Sequence, residues 1–330
     1  MTPPTPIAHY NILDRLGEGG IGEVFRARDT KVGRTVALKL VSPLIAADPA
    51  RLRRLLDDAT AAAALSHPNI ATLWDIGEAE GFHYLAYEFA AGRPLREETQ
   101  GGPTNPRRAL DLAIQIADGV ADGHSHDVLH GDLRPDTIVV TTKGSAKILD
   151  FGLAPWTLGG ALRARAARSA DALPPDTVSV LAYMSPEQAL GGAVDPRTDV
   201  FSLGTLTYEL VTGRNPFSAA TPGETVVNVI QGTVVPPSQV NPAAPAELDA
   251  VIAHALTRDL GQRLQSAAAL AAELRSVAAM LDVRSGDSHE PSALLPIDDS
   301  ADRQAAGLLT GALLAAAAAA GIVWWLLSRN

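Results

Sequence analysis

Over residues 10–90, apolar positions alternate with polar ones at a period of two, broken by glycines and turn residues. Ile12 and Val24 flank Gly17-Glu18-Gly19-Gly20-Ile21-Gly22, which predicts two strands joined by a glycine turn. Residues 24–28 read as the second strand and 29–34 as a turn. Residues 35–41, Thr-Val-Ala-Leu-Lys-Leu-Val, predict a third strand with a single charge, Lys39. A helix is predicted over 49–65, entered through Asp48-Pro49. Residues 70–76 and 82–89 predict two more strands.

Beyond residue 107 the period lengthens. Leu110, Ala113, Ile114, Ala117, Val120 and Ala121 recur at helical spacing and predict a long helix to residue 127. Residues 138–140 and 146–149 predict a hairpin turning through Lys143-Gly144. Residues 153–182 are Ala/Pro-rich and irregular, and read as a mobile segment with at most a helical turn. Its Arg163, Arg165 and Arg168 read as a solvated face rather than an anion site. A buried-looking helix begins at Asp199.

The ends differ from the body. Residues 1–9 read as a Thr/Pro-rich tail without the basic and apolar regions of a signal peptide. Residues 284–304 are rich in Ser, Asp and Pro and read as a flexible linker. Residues 305–327 carry no charge; as a helix they would span roughly 34 Å, enough for a bilayer core. Trp324 and Trp325 suit a membrane interface. This predicts a single-pass membrane helix followed by a short tail, 328–330; a buried core helix is the alternative. The chain has no cysteine, which excludes disulfides and thiolate-bound metals. Its formal net charge of −10 argues against a general nucleic-acid binder.

The chemistry concentrates in His130-Gly131-Asp132-Leu133-Arg134-Pro135-Asp136-Thr137, followed by Asp150-Phe151-Gly152. Two carboxylates at this spacing suit phosphoryl transfer, where one faces the acceptor hydroxyl and one holds a hard cation on the nucleotide phosphates. Turn aspartates beside strand ends are the plainer reading of either residue alone. Upstream, Gly17 to Val24 reads G-x-G-x-x-G-x-V, whose glycines let backbone N–H groups approach phosphates. A dinucleotide-binding turn shares such a pattern but opens a helix, whereas a strand follows here. Lys39 stands in an apolar strand, where a charge needs partners; an edge lysine reaching outward is the alternative.

Together these stretches resemble the protein kinase family, of the bacterial, eukaryotic-like serine/threonine type. Further matches are Val36-Ala37-Leu38-Lys39, Tyr183-Met184-Ser185-Pro186-Glu187-Gln188, and Asp199-Val200-Phe201-Ser202-Leu203-Gly204. The resemblance runs from about residue 10 to 281. It implies an α+β, two-lobed fold: a small β-rich lobe over about 10–90 and a larger helical lobe over about 91–283. It implies ATP with Mg²⁺ (Mn²⁺ as the alternative) in the cleft, protein substrates, and a kinase domain on the cytoplasmic side of the membrane.

The resemblance also assigns roles. Leu16, Gly17, Gly19, Gly22, Val24 and Ala37 would enclose the nucleotide. Lys39 would grip the α- and β-phosphates, paired with Asp58 of the following helix or its neighbour Asp57. Tyr87 falls at the gatekeeper position, and Glu88 and Ala90 would offer main-chain groups to adenine. Asp132 would be the catalytic base and Asp150 the metal ligand. Asp199 would brace the catalytic loop, and Arg263 would pair with Glu187. Four positions depart from the pattern. Asp58 stands for glutamate, Gly131 for an arginine that reads a loop phosphate, and Thr137 for the asparagine that holds a second metal, so that either its hydroxyl is a second, weaker metal ligand beside Asp150, or the site runs on one metal, or it does no transfer; Val180 stands for a threonine that positions peptide. Arg134 replaces lysine near the transferring phosphate and keeps the charge. Ser169, Thr177 and Ser179 are candidate phosphosites. The implied function is a membrane-anchored serine/threonine kinase of reduced activity; a nucleotide-binding or scaffold pseudokinase is the alternative.

Overall fold

Strands β1 (Tyr10–Glu18), β2 (Gly22–Asp29), β3 (Thr35–Val41), β4 (Leu73–Ala79) and β5 (Phe82–Glu88) form an antiparallel sheet in the order β1-β2-β3-β5-β4. The computed structural model describes residues 6–170 and 173–286. Period-two alternation gives the sheet two faces. Val36, Leu38 and Leu40 join Tyr10, Phe25 and Tyr84 on one. Ala37 and Val41 turn the other way, toward Leu55, Ala59, Leu85 and Tyr87. Lys39 lies between Ala37 and Val41 in this alternation and shares their face. Helices α1 (Pro43–Ala46) and α2 (Pro49–Ala63) follow β3. Asp48 caps α2, accepting from the N–H groups of Ala50 and Arg51 at 3.0 and 3.2 Å.

The strand predicted over 70–76 begins later, at Leu73. Residues 69–71 are instead tied to the second sheet: Ile148 N–H donates to Asn69 O and Ala71 N–H to Ile148 O, both at 2.8 Å. Apolar residues there satisfy a bridge, not a ladder.

The second sheet is β6 (Gly92–Pro94), β7 (Ile138–Thr141) and β8 (Ala146–Ile148), in that order. Gly144 makes the β7–β8 turn at φ 83°, a left-handed conformation that glycine adopts without strain. Helix α3 (Arg96–Thr99) leads to α4 (Pro106–Ser125), the predicted long helix. After the Asp150-Phe151-Gly152 triplet comes α5 (Leu158–Ser169), a full helix where a mobile segment is predicted. Short helices α6 (Val178–Leu181) and α7 (Pro186–Ala189) close that segment.

Helix α8 (Pro196–Thr212) is buried along nearly its whole length, and buried hydroxyls on it are satisfied by backbone carbonyls, as Thr205 and Thr207 donate to Phe201 O and Leu203 O at 3.1 and 2.7 Å. It packs on α4; α9 (Pro222–Gln231) lies against α6 and α7, α10 (Pro237–Val240) and α11 (Glu247–Ala255) pack on α8, and α12 (Ala267–Ser285) follows. The predicted Arg263–Glu187 pair is present. Nη1 and Nη2 reach the two carboxylate oxygens at 2.9 and 3.1 Å, and Thr198 Oγ1 donates to the same carboxylate at 2.8 Å. The fold is thus a β-sheet lobe joined to a helical lobe, as predicted. Among the described residues, no helix is long and apolar enough to cross a membrane. The predicted span 305–327 lies outside them.

Candidate active site

The glycine turn and β3 form the roof of the site. Gly19 N–H donates to Gly22 O at 2.8 Å, closing the turn. A Cβ on Gly22 would overlap the Leu40 carbonyl, so only glycine lets the turn lie on β3. The register places Val24 opposite Lys39 and Ala37 opposite Tyr87. Lys39 Nζ is in direct ion-pair contact with Asp150 Oδ1. Gly19, Lys39, Arg134, Thr137 and Asp150 line one cavity of about 150 Å³. The sheet, the catalytic loop and the triplet therefore bring together residues 131 positions apart at the widest (19 to 150). Asp150 has φ 59°, strained for a non-glycine residue, which turns its carboxylate into the cavity.

Leu16, predicted to enclose the nucleotide, is half exposed on β1 and does not line this cavity. Glu88 N–H donates to Thr72 O at 2.8 Å and its side chain pairs with Lys147 at 2.7 Å. Its side chain thus anchors the hinge to the second sheet. Ala90 follows at the end of the strand. The Tyr87 ring is buried, with Lys39 Nζ 5.3 Å from its centroid. Burial, and then the nearby Asp150 carboxylate, push its phenol well up.

The floor is a catalytic loop held by Asp199. This buried carboxylate accepts from the N–H groups of His130 and Gly131 and from His124 Nε2, all at 2.8 Å. Burial pushes its carboxyl up, but the hydrogen bond and charge of His124 and the Gly131 N–H outweigh that and hold it low. His130 Nε2 lies 3.0 Å from Leu149 O, while its Nδ1 accepts from Asp132 N–H at 3.1 Å. The ring therefore carries its proton on Nε2 and ties the loop to the triplet strand. Burial lowers its pKa, consistent with a neutral ring. Gly131 has φ 69°, so glycine removes the strain an arginine would carry there. Thr137 Oγ1 donates within the loop, to Arg134 O and Asp132 O at 2.9 and 3.1 Å, and accepts from Arg134 N–H at 3.2 Å. Its hydroxyl thus shapes the catalytic loop at the edge of the cavity. Gln188 of α7 donates to Gly131 O at 2.9 Å.

Asp132 is buried beneath α5. Thr157 Oγ1 donates to its Oδ2 at 2.7 Å, Arg163 Nη1 binds its Oδ1, and Arg134 Nε lies 3.3 Å from the same oxygen. Burial pushes the carboxyl up. The Arg163 and Arg134 charges and the hydrogen bonds from Arg163 and Thr157 outweigh it and hold Asp132 below the usual range. Arg163 is therefore not the solvated charge that its sequence context predicts: it is 8% exposed, while Arg165 and Arg168 do face water. The reason is tertiary, since α5 seats its first two turns on the carboxylate. Gly159 permits this approach; a Cβ there would overlap both carboxylate oxygens of Asp132.

Asp58 and Lys39 do not pair in this conformation. Trp156 Nε1 donates to Asp58 Oδ2 at 2.7 Å, and Lys39 takes Asp150 instead. Thr157, Arg163 and Trp156 are the site residues that sequence reading misses. A signal exists for the first: Thr157 caps α5, accepting from Gly160 N–H at 3.0 Å, and Thr before a helix is a cap signature. Nothing local marks Arg163 or Trp156.

The protein kinase domain family model matches residues 10–274. Serine/threonine-protein kinase PknB of Mycobacterium leprae is 34% identical over 305 residues, covering 91% of this chain and 47% of that protein. PrkC of Bacillus subtilis is 31% identical over 271 residues, covering 81% and 40%. The chain thus spans less than half the length of these relatives. The crystal structure of the Mycobacterium tuberculosis PknI kinase domain matches with a TM-score of 0.62 at 24% identity, over 84% of this chain and 99% of that one, a likeness of fold. With its braced catalytic loop and its Lys39–Asp150 pair under a glycine turn, the chain belongs to the protein kinase family.

Proposed function

We propose that this chain transfers the γ-phosphoryl group of ATP to serine or threonine hydroxyls of proteins. The observation that carries the reading is the cavity in which Lys39, Arg134, Asp150 and the glycine turn converge, with the ionised Asp132 immediately behind it. Among the described residues no three His, Cys, Asp or Glu side chains cluster to hold a metal by themselves. The donor set, one cavity-facing carboxylate with a hydroxyl-bearing neighbour, fits a hard cation that arrives on nucleotide phosphates. Asp150 would hold it, and it would neutralise phosphate charge during transfer. Lys39 supplies a fixed positive charge for the same phosphates. Arg134 offers a second beside the transferring group. Asp132 accepts a hydrogen bond from the acceptor hydroxyl and orients its oxygen for attack.

The departures from the family pattern do not remove this machinery. The conformation withholds it: Asp132 is covered by α5, and Lys39 and Asp58 are engaged elsewhere. We therefore read reduced activity as a held state, rather than as a scaffold without phosphotransfer. We propose in addition that residues 305–327 anchor the chain in a membrane with the kinase domain on the ATP-containing side; the charge-free stretch and its paired tryptophans support this. The test of the enzymatic reading is transfer of labelled phosphate from ATP to the chain and to dephosphorylated casein, beside Asp132→Asn. Transfer lost in the variant supports it. No transfer by the parent to either acceptor refutes it.

A further inference from the structure

We propose that the chain carries a separate small-molecule site, between the catalytic loop, α2 and α5, that binds a free amino acid with a large apolar side chain. A cavity of about 480 Å³ lies there, within the ~300–1,000 Å³ of small-molecule sites. It shares no lining residue with the cavity that holds Lys39 and Asp150. Ala61, Val128, Ala154, Pro155, Ala164 and Val194 give it apolar walls. A Cβ on Gly131 would meet the Ala154 Cβ at 3.0 Å, so a side chain at 131 would crowd this wall, and glycine keeps it open.

Two opposite charges border this space. Arg163 lines it, and its Nη1 is taken by Asp132, which Arg134 also contacts. Its Nη2 is buried and has no acceptor among the described residues. A buried N–H without a partner is unfavourable, and a carboxylate is the acceptor that matches a guanidinium. Asp58 lines the cavity from α2. Trp156 Nε1 occupies its Oδ2, while Oδ1 has no hydrogen-bond or ion-pair partner among the described residues. Asp127, exposed at the rim, adds a second carboxylate.

The other polar side chains of the lining are committed. Gln188 Oε1 accepts from Ser185 N–H at 3.1 Å and its Nε2 donates to Gly131 O at 2.9 Å. Both His130 nitrogens are bonded within the loop and to Leu149 O. What remains for a ligand is Arg163 Nη2 and Asp58 Oδ1. A simple cation meets only repulsion from Arg163, and a simple anion only repulsion from Asp58 and Asp127. A zwitterion on an apolar body meets each charge with its opposite: carboxylate to Arg163, ammonium to Asp58, side chain against the apolar walls.

The bound amino acid touches α2, the catalytic loop and α5 together. Arg163 belongs to the lining only while α5 sits on Asp132, so the ligand and the covered state stabilise each other and phosphotransfer slows. This consequence rests on the phosphotransfer reading above; the binding does not.

The experiment uses the full-length chain without nucleotide. Isothermal titration calorimetry measures L-leucine, L-phenylalanine and L-tryptophan, with L-serine and L-glutamate for comparison. Two analogues of phenylalanine that keep one charge each, 3-phenylpropionate and phenethylamine, complete the series. At least one of the three apolar amino acids should bind with a Kd below about 1 mM. Serine, glutamate and both analogues should bind at least about tenfold more weakly, the effect of one lost charged hydrogen bond. Ala61→Trp and Val194→Trp fill the cavity from exposed positions away from the catalytic machinery. Each should abolish binding and leave the melting temperature and the initial transfer to casein as in the parent. The tightest-binding amino acid, at ten times its Kd, should slow casein phosphorylation about tenfold in the parent and in neither variant. No binding by any of the three, or equal binding of a single-charge analogue, would overturn the site. Binding that both tryptophan variants retain would overturn its location. Binding without slowing would overturn the coupling. A parent that transfers no phosphate in the absence of amino acid would refute the kinase reading and the coupling, while calorimetry still decides the site.

Discussion

Trp156 Nε1 donates to Asp58 Oδ2 at 2.7 Å, which holds away from Lys39 the carboxylate that family resemblance assigns to it. The indole comes from the segment after the Asp150-Phe151-Gly152 triplet, and Leu153 and Trp156 pack with Leu55 and Ala59 of α2. The position of α2 and the position of the segment are therefore one variable.

This relationship is testable with Trp156→Phe, which keeps an aromatic ring in the cluster and removes the N–H. A hydrogen bond to a carboxylate contributes about 1.5–3 kcal/mol. Its loss from the covered state should raise steady-state transfer to casein about tenfold. An unchanged or lower rate would mean that the indole supports the active form instead.

Gly159→Ala reaches the same end by another route. Alanine ordinarily stabilises a helix relative to glycine by about 1 kcal/mol. Here its Cβ would strike the Asp132 carboxylate, so docked α5 is disfavoured. The initial rate of casein phosphorylation should rise several-fold before any self-phosphorylation, as read in the first minutes after ATP addition. A slower variant would show that Gly159 serves the transfer step itself.

Asp132→Asn should cut transfer by about a hundredfold to ten-thousandfold, the usual worth of a positioned acid–base group. Heat stability with and without ATP, followed by scanning fluorimetry, should still show protection by nucleotide. The variant leaves Lys39 and Asp150 in place.

Arg263→Ala should destabilise the helical lobe by about 3–5 kcal/mol, because it leaves the carboxylate of Glu187 without its buried partner. Urea unfolding measures this directly. Arg263→Lys should recover only part of the loss, since a single ammonium cannot reproduce the two-pronged contact and the bond from Nε to Thr257 O at 2.7 Å.

Acid should unfold this lobe through its paired carboxylates. Asp199 and Glu187 are both held below their ordinary values in the fold, despite burial that pushes each the other way. A depressed folded pKa means stability that is complete above the unfolded value, about 4, and is lost as pH falls through the folded one. Unfolding free energy should therefore begin to fall as pH drops below about 6.5, where the buried, neutral His130 takes a proton only on unfolding, and fall further below about pH 4. Asp199→Asn should lower stability at pH 7 and weaken that acid dependence; a slope equal to the parent's would remove Asp199 from the explanation.

The kinase fold, and the parts of the site that local pattern encodes, could be read from the order of residues alone. Period-two alternation put Lys39 on one face of β3, glycine at Gly22 let the turn lie on that strand, and the loop and triplet carried their aspartates at a readable spacing. The Asp199 brace and the Arg263–Glu187 pair were legible too, through the resemblance of their motifs to the kinase pattern. Tertiary structure alone decided the state of the site. Arg163, Trp156 and Thr157 look like ordinary loop residues because their partners, Asp132 and Asp58, lie 31, 98 and 25 positions away. Hydrophobic periodicity reports which side of an element is buried; it carries no record of which distant carboxylate a buried arginine or indole will meet. That meeting depends on how α5 docks, and docking is set by shape, down to the missing Cβ of Gly159.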